Sequence, residues 1–205
     1  MKKTIIWLCA AILLTSFVSC GGRRNAKQAE AEATEAETTE VCEAAEAQAE
    51  TCFTAIDKYL TDEIGKQYAA GEITIPFHNF VDVDETNADD IVVLGDFWVF
   101  NYNQSGDTLK TVSGGNHPGK MHVKKTEDGH FEVIAFEPVA DGADNLKSAQ
   151  SLFGDKFDAF QAAQADQDKR DALRKEAVAA YAKCHDLAVS LLQDYGWPAV
   201  EIAAE

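Results

Sequence analysis

The stretch of residues 91–103 constrains the fold more than any other part of the sequence, because apolar or aromatic residues occupy both parities, that is, both its even-numbered and its odd-numbered positions. One parity holds Val92, Leu94, Trp98, Phe100 and Tyr102, and the other holds Ile91, Val93, Phe97 and Val99. Successive side chains of a β-strand point to opposite faces of its sheet, so other elements must cover this strand on both faces. We predict a central strand inside a layered domain, bent at Gly95-Asp96 by a β-bulge.

The segments before this strand predict a helix and an edge strand. Apolar residues at spacings of three and four indicate one buried helix face, with Gly71 as the C-cap; they are Phe53, Ile56, Leu60 and Ile64. Residues 73–83 then alternate apolar and polar, and Pro76 favours an edge position because proline cannot donate to a neighbouring strand.

The segments after it predict further strands and then helices. Residues 108–113 continue from a hairpin turn, residues 114–119 form a loop, and residues 121–125 and 131–137 form two more strands. Phe153, Phe157 and Phe160 follow at helical spacing, and a longer helix runs from Leu173 towards Leu191, although residues 187–192 could instead be extended. The predicted fold class is α+β: an N-terminal helix packed on a curved antiparallel sheet of four to five strands, followed by C-terminal helices.

The N-terminus predicts export from the cytoplasm. Lys2 and Lys3 precede an uncharged, mostly apolar run, residues 4–18, which is too short to span a bilayer and is typical of a signal peptide. The Ser19-Cys20 pair that ends it resembles a bacterial lipobox, which implies cleavage before Cys20 and acylation of its thiol, with palmitate among the chains. Gly21, where inner-membrane lipoproteins often have Asp, and the following arginines favour the outer membrane, facing the periplasm.

A spacer and three remaining cysteines come next. Residues 29–50 are almost entirely Ala, Glu and Thr, so no apolar face exists to dock a helix, and we interpret residues 20–51 as a lipidated cysteine plus tether. Cys42 and Cys52 could close a small loop, which would leave Cys184 buried on a helix. The chain has no CxxC pair, and we predict neither a metal site nor a cofactor.

The charge excludes one class of partner. The chain holds 18 Lys and Arg against 35 Asp and Glu, a net charge of −17. Because nucleic-acid binding depends on neutralising phosphates with cationic side chains, we expect no nucleic-acid partner.

Residues 53–139, a helix followed by a bent aromatic strand within a meander, resemble the cystatin-like/NTF2-like superfamily, where a curved sheet wraps a helix and leaves a concave pocket. The resemblance implies an acid or base in that pocket. Asp96 is the candidate, with Tyr102 and His122 as possible partners; the alternative, which we favour, is that Asp96 satisfies backbone groups at the bulge. The three phenylalanines could also fill the concave side.

The most unusual local string is the glycine-rich segment of residues 114–119, and its binding candidates are Gly114, Gly115, Asn116 and His117. A phosphate loop requires a helix directly after it, but a strand is predicted there. His117, His122 and His130 lack a completing carboxylate set, so no metal site is predicted. Residues 110–114 echo the hairpin motif of cystatin protease inhibitors, which leaves protease inhibition by residues 112–119 as an alternative.

These observations divide the chain into a signal peptide (1–19), a lipidated tether (20–51) and an α+β domain with a helical C-terminal extension (52–205). We predict a non-enzymatic binding or scaffolding lipoprotein of the bacterial cell envelope, held on the membrane by lipid. Its partner would be an envelope protein, a peptide or a small apolar ligand. A pocket hydrolase or isomerase using Asp96 is the enzymatic alternative. A filled interior with exposed aromatics near Tyr195 and Trp197 would favour the binding module.

Overall fold

The computed structural model describes residues 51–202, which lie within one compact unit of the chain. The predicted signal peptide, lipidated Cys20, Cys42 and all of the tether before residue 51 lie outside the described residues. The helices are α1 (Cys52–Tyr59), α2 (Asn145–Phe153), α3 (Phe157–Ala165) and α4 (Gln167–Cys184). The strands are β1 (Ile73–Asp84), β2 (Ile91–Ser105), β3 (Thr108–Lys125), β4 (Phe131–Pro138), β5 (Leu191–Gln193) and β6 (Val200–Glu201).

The predicted α+β class is confirmed, but the sheet is larger than predicted and is mixed. Its six strands run in the order β1-β2-β3-β5-β6, and β4 pairs with the other end of β3. The first four strands form an antiparallel meander, whereas β5 lies parallel to the start of β3. The chain reaches β5 only after crossing the sheet through α4, and a crossover of this kind permits parallel pairing.

The region of α1 begins with reciprocal capping by two threonines. The Thr51 hydroxyl accepts from the backbone N–H of Thr54 at 3.4 Å, and the Thr54 hydroxyl accepts from the backbone N–H of Thr51 at 3.0 Å. Helical winding continues past α1 through a π-helical turn, Leu60–Ile64, and a 3-10 turn, Gly65–Gln67. The predicted C-cap at Gly71 is therefore wrong. That glycine lies where the chain crosses β2, since a Cβ there would be 2.5 Å from the backbone oxygen of Tyr102.

The glycine-rich segment is part of a strand, and the prediction of a loop there is wrong. Residues 114–119 pair one by one with residues 95–100 of β2, within an uninterrupted β3. The register shifts just before them, leaving Val112 as an extra residue opposite the Asn101/Tyr102 step. Gly114 has φ of +142°, and a Cβ on it would be 2.3 Å from the backbone oxygen of Val99. The glycines thus permit close strand approach instead of forming a turn.

The predicted bulge at Gly95-Asp96 is also placed on the wrong strand. Both residues have direct partners in β1, Phe80 and Asn79, and the extra residue is Val81 in β1. Pro76 and this bulge both lie on β1, which is the edge strand predicted from the proline. Irregularities of this kind make an edge a poor template for pairing with another chain.

Strand β2 is central and covered on both faces, as its two apolar parities predicted. One face packs against α1 through a cluster that includes Ile56, Leu60, Val93, Phe97 and Met121. The other face packs against the C-terminal helices in two clusters, one around Leu94, Phe153 and Phe160 and one around Tyr102, Val178 and Leu192. The phenylalanines therefore fill the face opposite α1.

The end of α4 corrects one further prediction. The helix stops at Cys184, which is exposed and not buried, because it is the last helical residue and lies beyond the buried Val178 and Ala182. The chain is then extended at Leu191–Gln193, the alternative left open by the sequence. No helix among residues 51–202 is long and apolar enough to cross a membrane.

Candidate functional site

Asp96 lies on the face of β2 that the C-terminal helices cover, and its side chain is fully buried. Its Oδ1 accepts a short hydrogen bond from the amide of Asn116 on β3. Within the described part of the chain, its Oδ2 has no hydrogen bond, and neither do two buried donors beside it, the Asn79 amide and the Trp98 indole N–H. Asn79 is the direct partner of Asp96 in β1. The Trp98 and Gln164 side chains nonetheless lie near enough to Asp96 to favour its charged form.

Burial is the main influence on the pKa of this carboxyl. Loss of water raises the pKa of Asp96 above its ordinary value, and this outweighs the opposing effects of Asn116, Trp98 and the Arg170 guanidinium, which favour the charged form. A raised pKa at a buried carboxyl is a property that many catalytic acids and bases share. Asp96 has no exposed surface, however, so it does not itself contact a molecule bound in a cavity.

Tyr102 and His122 do not join Asp96. Tyr102 is six residues further along β2, about 20 Å at 3.3 Å per residue, and its hydroxyl accepts from Arg174 Nε at 3.0 Å. The ring of His122 contacts two surface carboxylates: Nδ1 is 2.6 Å from Asp90 and Nε2 is 3.0 Å from Glu137. These hydrogen bonds, that to Asp90 most, raise the pKa of His122. The three predicted candidates belong to three separate networks.

Two of the four predicted binding residues do line a cavity. Its volume is about 650 Å³, and its wall combines residues of β3, α3 and the segment after β4. Asn116 and His117 contribute to the wall from β3; the other lining residues are Tyr68, Pro118, Pro138, Val139, Ala140, Asp141, Asn145 and Gln164. Asn116 and Gln164 both also lie next to Asp96, so the cavity ends one side chain away from the buried carboxyl.

Tyr68 and His117 form a polar pair at this cavity. The Tyr68 hydroxyl lies 2.9 Å from His117 Nε2, and the two rings meet edge to face with centroids 5.7 Å apart. Burial lowers the pKa of His117, against the smaller opposing effect of Asp141, so the imidazole is neutral at pH 7. Gly115 makes room for the phenol, since a Cβ there would be 2.5 Å from the Tyr68 hydroxyl oxygen.

A second surface feature lies at the far end of the sheet, and we call it the aromatic corner: Tyr195, Trp197, Pro198 and Val200. Tyr195 is 97% exposed and Trp197 is 71% exposed. A groove of about 330 Å³ adjoins Trp197 and runs between α4 and β5–β6; the residues lining it are Asp171, Arg174, Lys175, Leu192, Asp194, Trp197, Pro198 and Val200.

Arg174 fixes the base of this corner. Its Nη1 and Nη2 donate to the two oxygens of Asp194 at 3.0 and 2.8 Å, and Nη2 also donates to the Thr111 hydroxyl at 2.7 Å. The guanidinium lies 4.1 Å from the ring centroid of Phe100. Because Asp194 begins the turn that carries Tyr195 and Trp197, the network holds the aromatic corner against the sheet.

Sequence reasoning missed several of these residues. Arg174 and Asp194 are 20 positions apart, and Tyr68 and His117 are 49 apart. The only available signal for Arg174 was its place among the apolar positions of α4, between Leu173 and Ala177. Tyr68 and Gln164 stand in segments with no distinguishing pattern.

Among residues 51–202 the two cysteines, Cys52 and Cys184, are both free thiols. The Cys52 thiol donates to Glu85 at 3.7 Å, and burial raises its pKa to about 11, which leaves it unreactive. Its predicted pairing with Cys42 lies outside the described residues. Within the described range, no group of three His, Cys, Asp or Glu side chains is arranged to hold a metal ion.

Comparisons of the chain with protein-family models, with curated proteins and with solved structures return no match.

Proposed function

We propose that the protein is a lipid-anchored, extracytoplasmic binding module of the bacterial cell envelope that docks a partner polypeptide at the aromatic corner. The observation that carries this proposal is the exposure of Tyr195 and Trp197 beside a groove. Exposed aromatic side chains beside a concave surface are typical of protein-binding sites, where a few large residues supply most of the binding energy.

The groove favours an apolar anchor side chain of the partner. Leu192, Pro198 and Val200 give it apolar walls, and Lys175 and Asp171 supply charges. An apolar core with polar residues around it is the usual composition of a polypeptide interface. The occupant we assign is therefore an aromatic or aliphatic side chain from a partner protein, and the charged residues orient the segment that carries it.

The membrane anchor is supported by the sequence alone. Lys2, Lys3 and the short apolar run before Cys20 favour a lipoprotein signal peptide, and acyl chains on Cys20 would retain the protein on the outer membrane, facing the periplasm. The acidic segment that follows, which has no apolar face to dock a helix, would then act as the spacer between the lipid and the domain.

We further infer that the domain is related to the cystatin-like/NTF2-like superfamily. One helix on one face of a bent meander supports a likeness to the cystatin-like/NTF2-like superfamily. The C-terminal helices cover the opposite face, where the buried Asp96 lies.

The two alternatives have less support. A hydrolase or isomerase using Asp96 needs that carboxyl to touch its substrate, but Asn116 stands between it and the cavity. A protease inhibitor using residues 112–119 needs a protruding loop, but those residues lie within β3.

Site-specific photocrosslinking in cells tests the docking surface. A photoreactive amino acid at Tyr195 is expected to trap one polypeptide, and the same residue at exposed Glu127, in the turn between β3 and β4, is expected to trap none. Trp197→Ala should abolish the crosslink, whereas Leu146→Ala, which removes an exposed apolar side chain elsewhere, should not. Binding of the identified partner to the purified full chain should then weaken at least about tenfold with Trp197→Ala. Equal crosslinking in both alanine variants would refute the docking site.

Metabolic labelling with an alkyne fatty acid tests the anchor. We expect label on the wild-type chain and on Cys184→Ser, and none on Cys20→Ala. Label that persists in Cys20→Ala would overturn the lipoprotein assignment without bearing on the docking surface.

A further inference from the structure

The cavity beside β3 lies at a gap in the sheet. On its outer edge β3 pairs with β5 at Thr108–Lys110 and with β4 at Gly119–Lys125. Among the described residues no strand occupies the edge between these two pairings. The cavity of about 650 Å³ lies next to this gap, and its volume is in the range of sites for small molecules.

The charges of the wall select against anions. Asp141 is the only lining residue with a formal charge at pH 7, because the half-buried imidazole of His117 is neutral and no Lys or Arg contributes to the wall. An anionic ligand would face the Asp141 carboxylate with no cation in the wall to bind it.

The remaining polar groups suit a ligand that both donates and accepts. The wall presents the hydrogen-bonded Tyr68–His117 pair and the amides of Asn116, Asn145 and Gln164. One N–H of Asn116 already donates to Asp96 and one of Asn145 to the backbone oxygen of Ala140, so a ligand would meet their amide oxygens and their second N–H. Neutral imidazoles, hydroxyls and amides each combine donor and acceptor atoms. Between them lie apolar surfaces of Pro118, Pro138 and Val139.

We propose that this cavity binds a neutral, polyhydroxylated small molecule of the size of a mono- or disaccharide. Each ligand hydroxyl donates one hydrogen bond and accepts others, which matches the amides and the Tyr68–His117 pair. The C–H faces of a sugar ring pack on the prolines. This site is separate from the aromatic corner, and neither proposal depends on the other.

Gly115 preorganises the site. Because it lacks a Cβ, the Tyr68 phenol lies directly over β3 and its hydroxyl meets His117 at 2.9 Å. Strand pairing with β2 fixes Asn116 and His117 in turn. Groups held in place before the ligand arrives lose little conformational entropy on binding.

Isothermal titration calorimetry on the full chain tests the proposal, in a detergent whose headgroup is not a sugar. The neutral probes are N-acetylglucosamine and cellobiose, the anionic probe is glucuronate and the cationic probe is putrescine. We expect at least one neutral probe to bind at millimolar concentration or below, and neither charged probe to bind. Binding of a charged probe alone, or of none of the four, would overturn the proposal.

Two variants locate the binding. Tyr68→Phe removes one hydroxyl from the wall and should weaken the neutral probe about fivefold or more, whereas Tyr195→Phe, which removes an exposed hydroxyl elsewhere, should leave its affinity unchanged. Equal loss in the two tyrosine variants, or no loss in either, would contradict the assigned site.

Discussion

Two arginines one helical turn apart on α4 lie over the same row of β2 side chains, but their surroundings differ. Arg174 lies over Phe100 and bonds with Tyr102, Thr111 and Asp194. Arg170 lies 5.6 Å from the ring centroid of Trp98 and donates to the backbone oxygen of Gln164. It is close enough to Asp96 to favour the charged carboxylate, yet in the described residues it forms no hydrogen bond with it.

The charge of the largely buried Arg174 stabilises the folded state, whereas a charge on the buried Asp96 does not. Arg174 has a bidentate carboxylate partner, and the pair lowers the pKa of Asp194, so both groups favour the folded state when charged. Among the described residues Asp96 has no cationic hydrogen-bond partner, and burial raises its pKa. Charge at Asp96 therefore opposes folding, whereas charge at Arg174 supports it.

The largest expected effect is the loss of Arg174. Arg174→Met keeps an unbranched apolar stem but leaves Asp194, Thr111 and Tyr102 without their donor. Breaking a fully buried pair costs about 3–5 kcal/mol; because Asp194 is 46% exposed, we expect about 2–3 kcal/mol of lost unfolding free energy. Urea denaturation measures it. Lys169→Met, an exposed cation on the same helix, should change stability by less than about 0.5 kcal/mol, and equal losses in both variants would remove the contrast.

Removing the charge of Asp96 is expected to increase the free energy of unfolding, the opposite of the effect at Arg174. Asp96→Asn removes the buried negative charge, so we expect a gain of about 1 kcal/mol at pH 8. The folded pKa of Asp96 is raised, so the wild-type chain loses stability as pH rises from the unfolded pKa through the folded one. The gain of Asp96→Asn should therefore shrink towards pH 4.5.

Urea denaturation at the two pH values checks this sign. The exposed Asp89→Asn serves as the control and should show no such trend. If Asp96→Asn destabilises the protein at pH 8, the carboxylate is needed as a charge and the two regions are alike.

The smallest effect is expected at a third, partly exposed charge, His122. The folded pKa of His122 is raised by Asp90 and Glu137, so its stabilising effect is fully present below the unfolded pKa and is lost as pH rises through the folded one. His122→Gln should cost about 0.5 kcal/mol at pH 5.5 and almost nothing at pH 8.5. Thermal unfolding at both pH values measures the difference, and His185→Gln is the exposed control. A cost that does not depend on pH would indicate a packing role.

The sequence predicted what depends on neighbours along the chain. Residues 91–103 carry two apolar parities, and the structure covers that strand on both faces. Pro76 predicted an edge strand because a missing N–H is a local property. The glycines of residues 114–119 were mistaken for a loop, since glycine serves equally in turns and where two backbones approach closely, and only the partner strand distinguishes these uses.

The candidate site was predicted only in part for the same reason. Asn116 and His117 stood out because of the glycines around them, and they line the cavity. Their neighbours Tyr68, Asp141 and Gln164 come from three other segments, and no spacing relates them. Asp96, Tyr102 and His122 were grouped by resemblance, but strand length and register separate them.

By itself the sequence determined the alternation of faces in the strands, the apolar faces of the helices and the excess of negative charge. These follow from the period of the backbone and from composition. Only the tertiary structure decided which charge found a partner, because Arg174 meets Asp194 through the parallel pairing of β5 with β3. The tertiary structure also decided that the cavity lies beside a gap in the sheet and not in a loop. Strands pair with segments that are distant in the sequence, so the position of this gap could not be predicted from neighbouring residues.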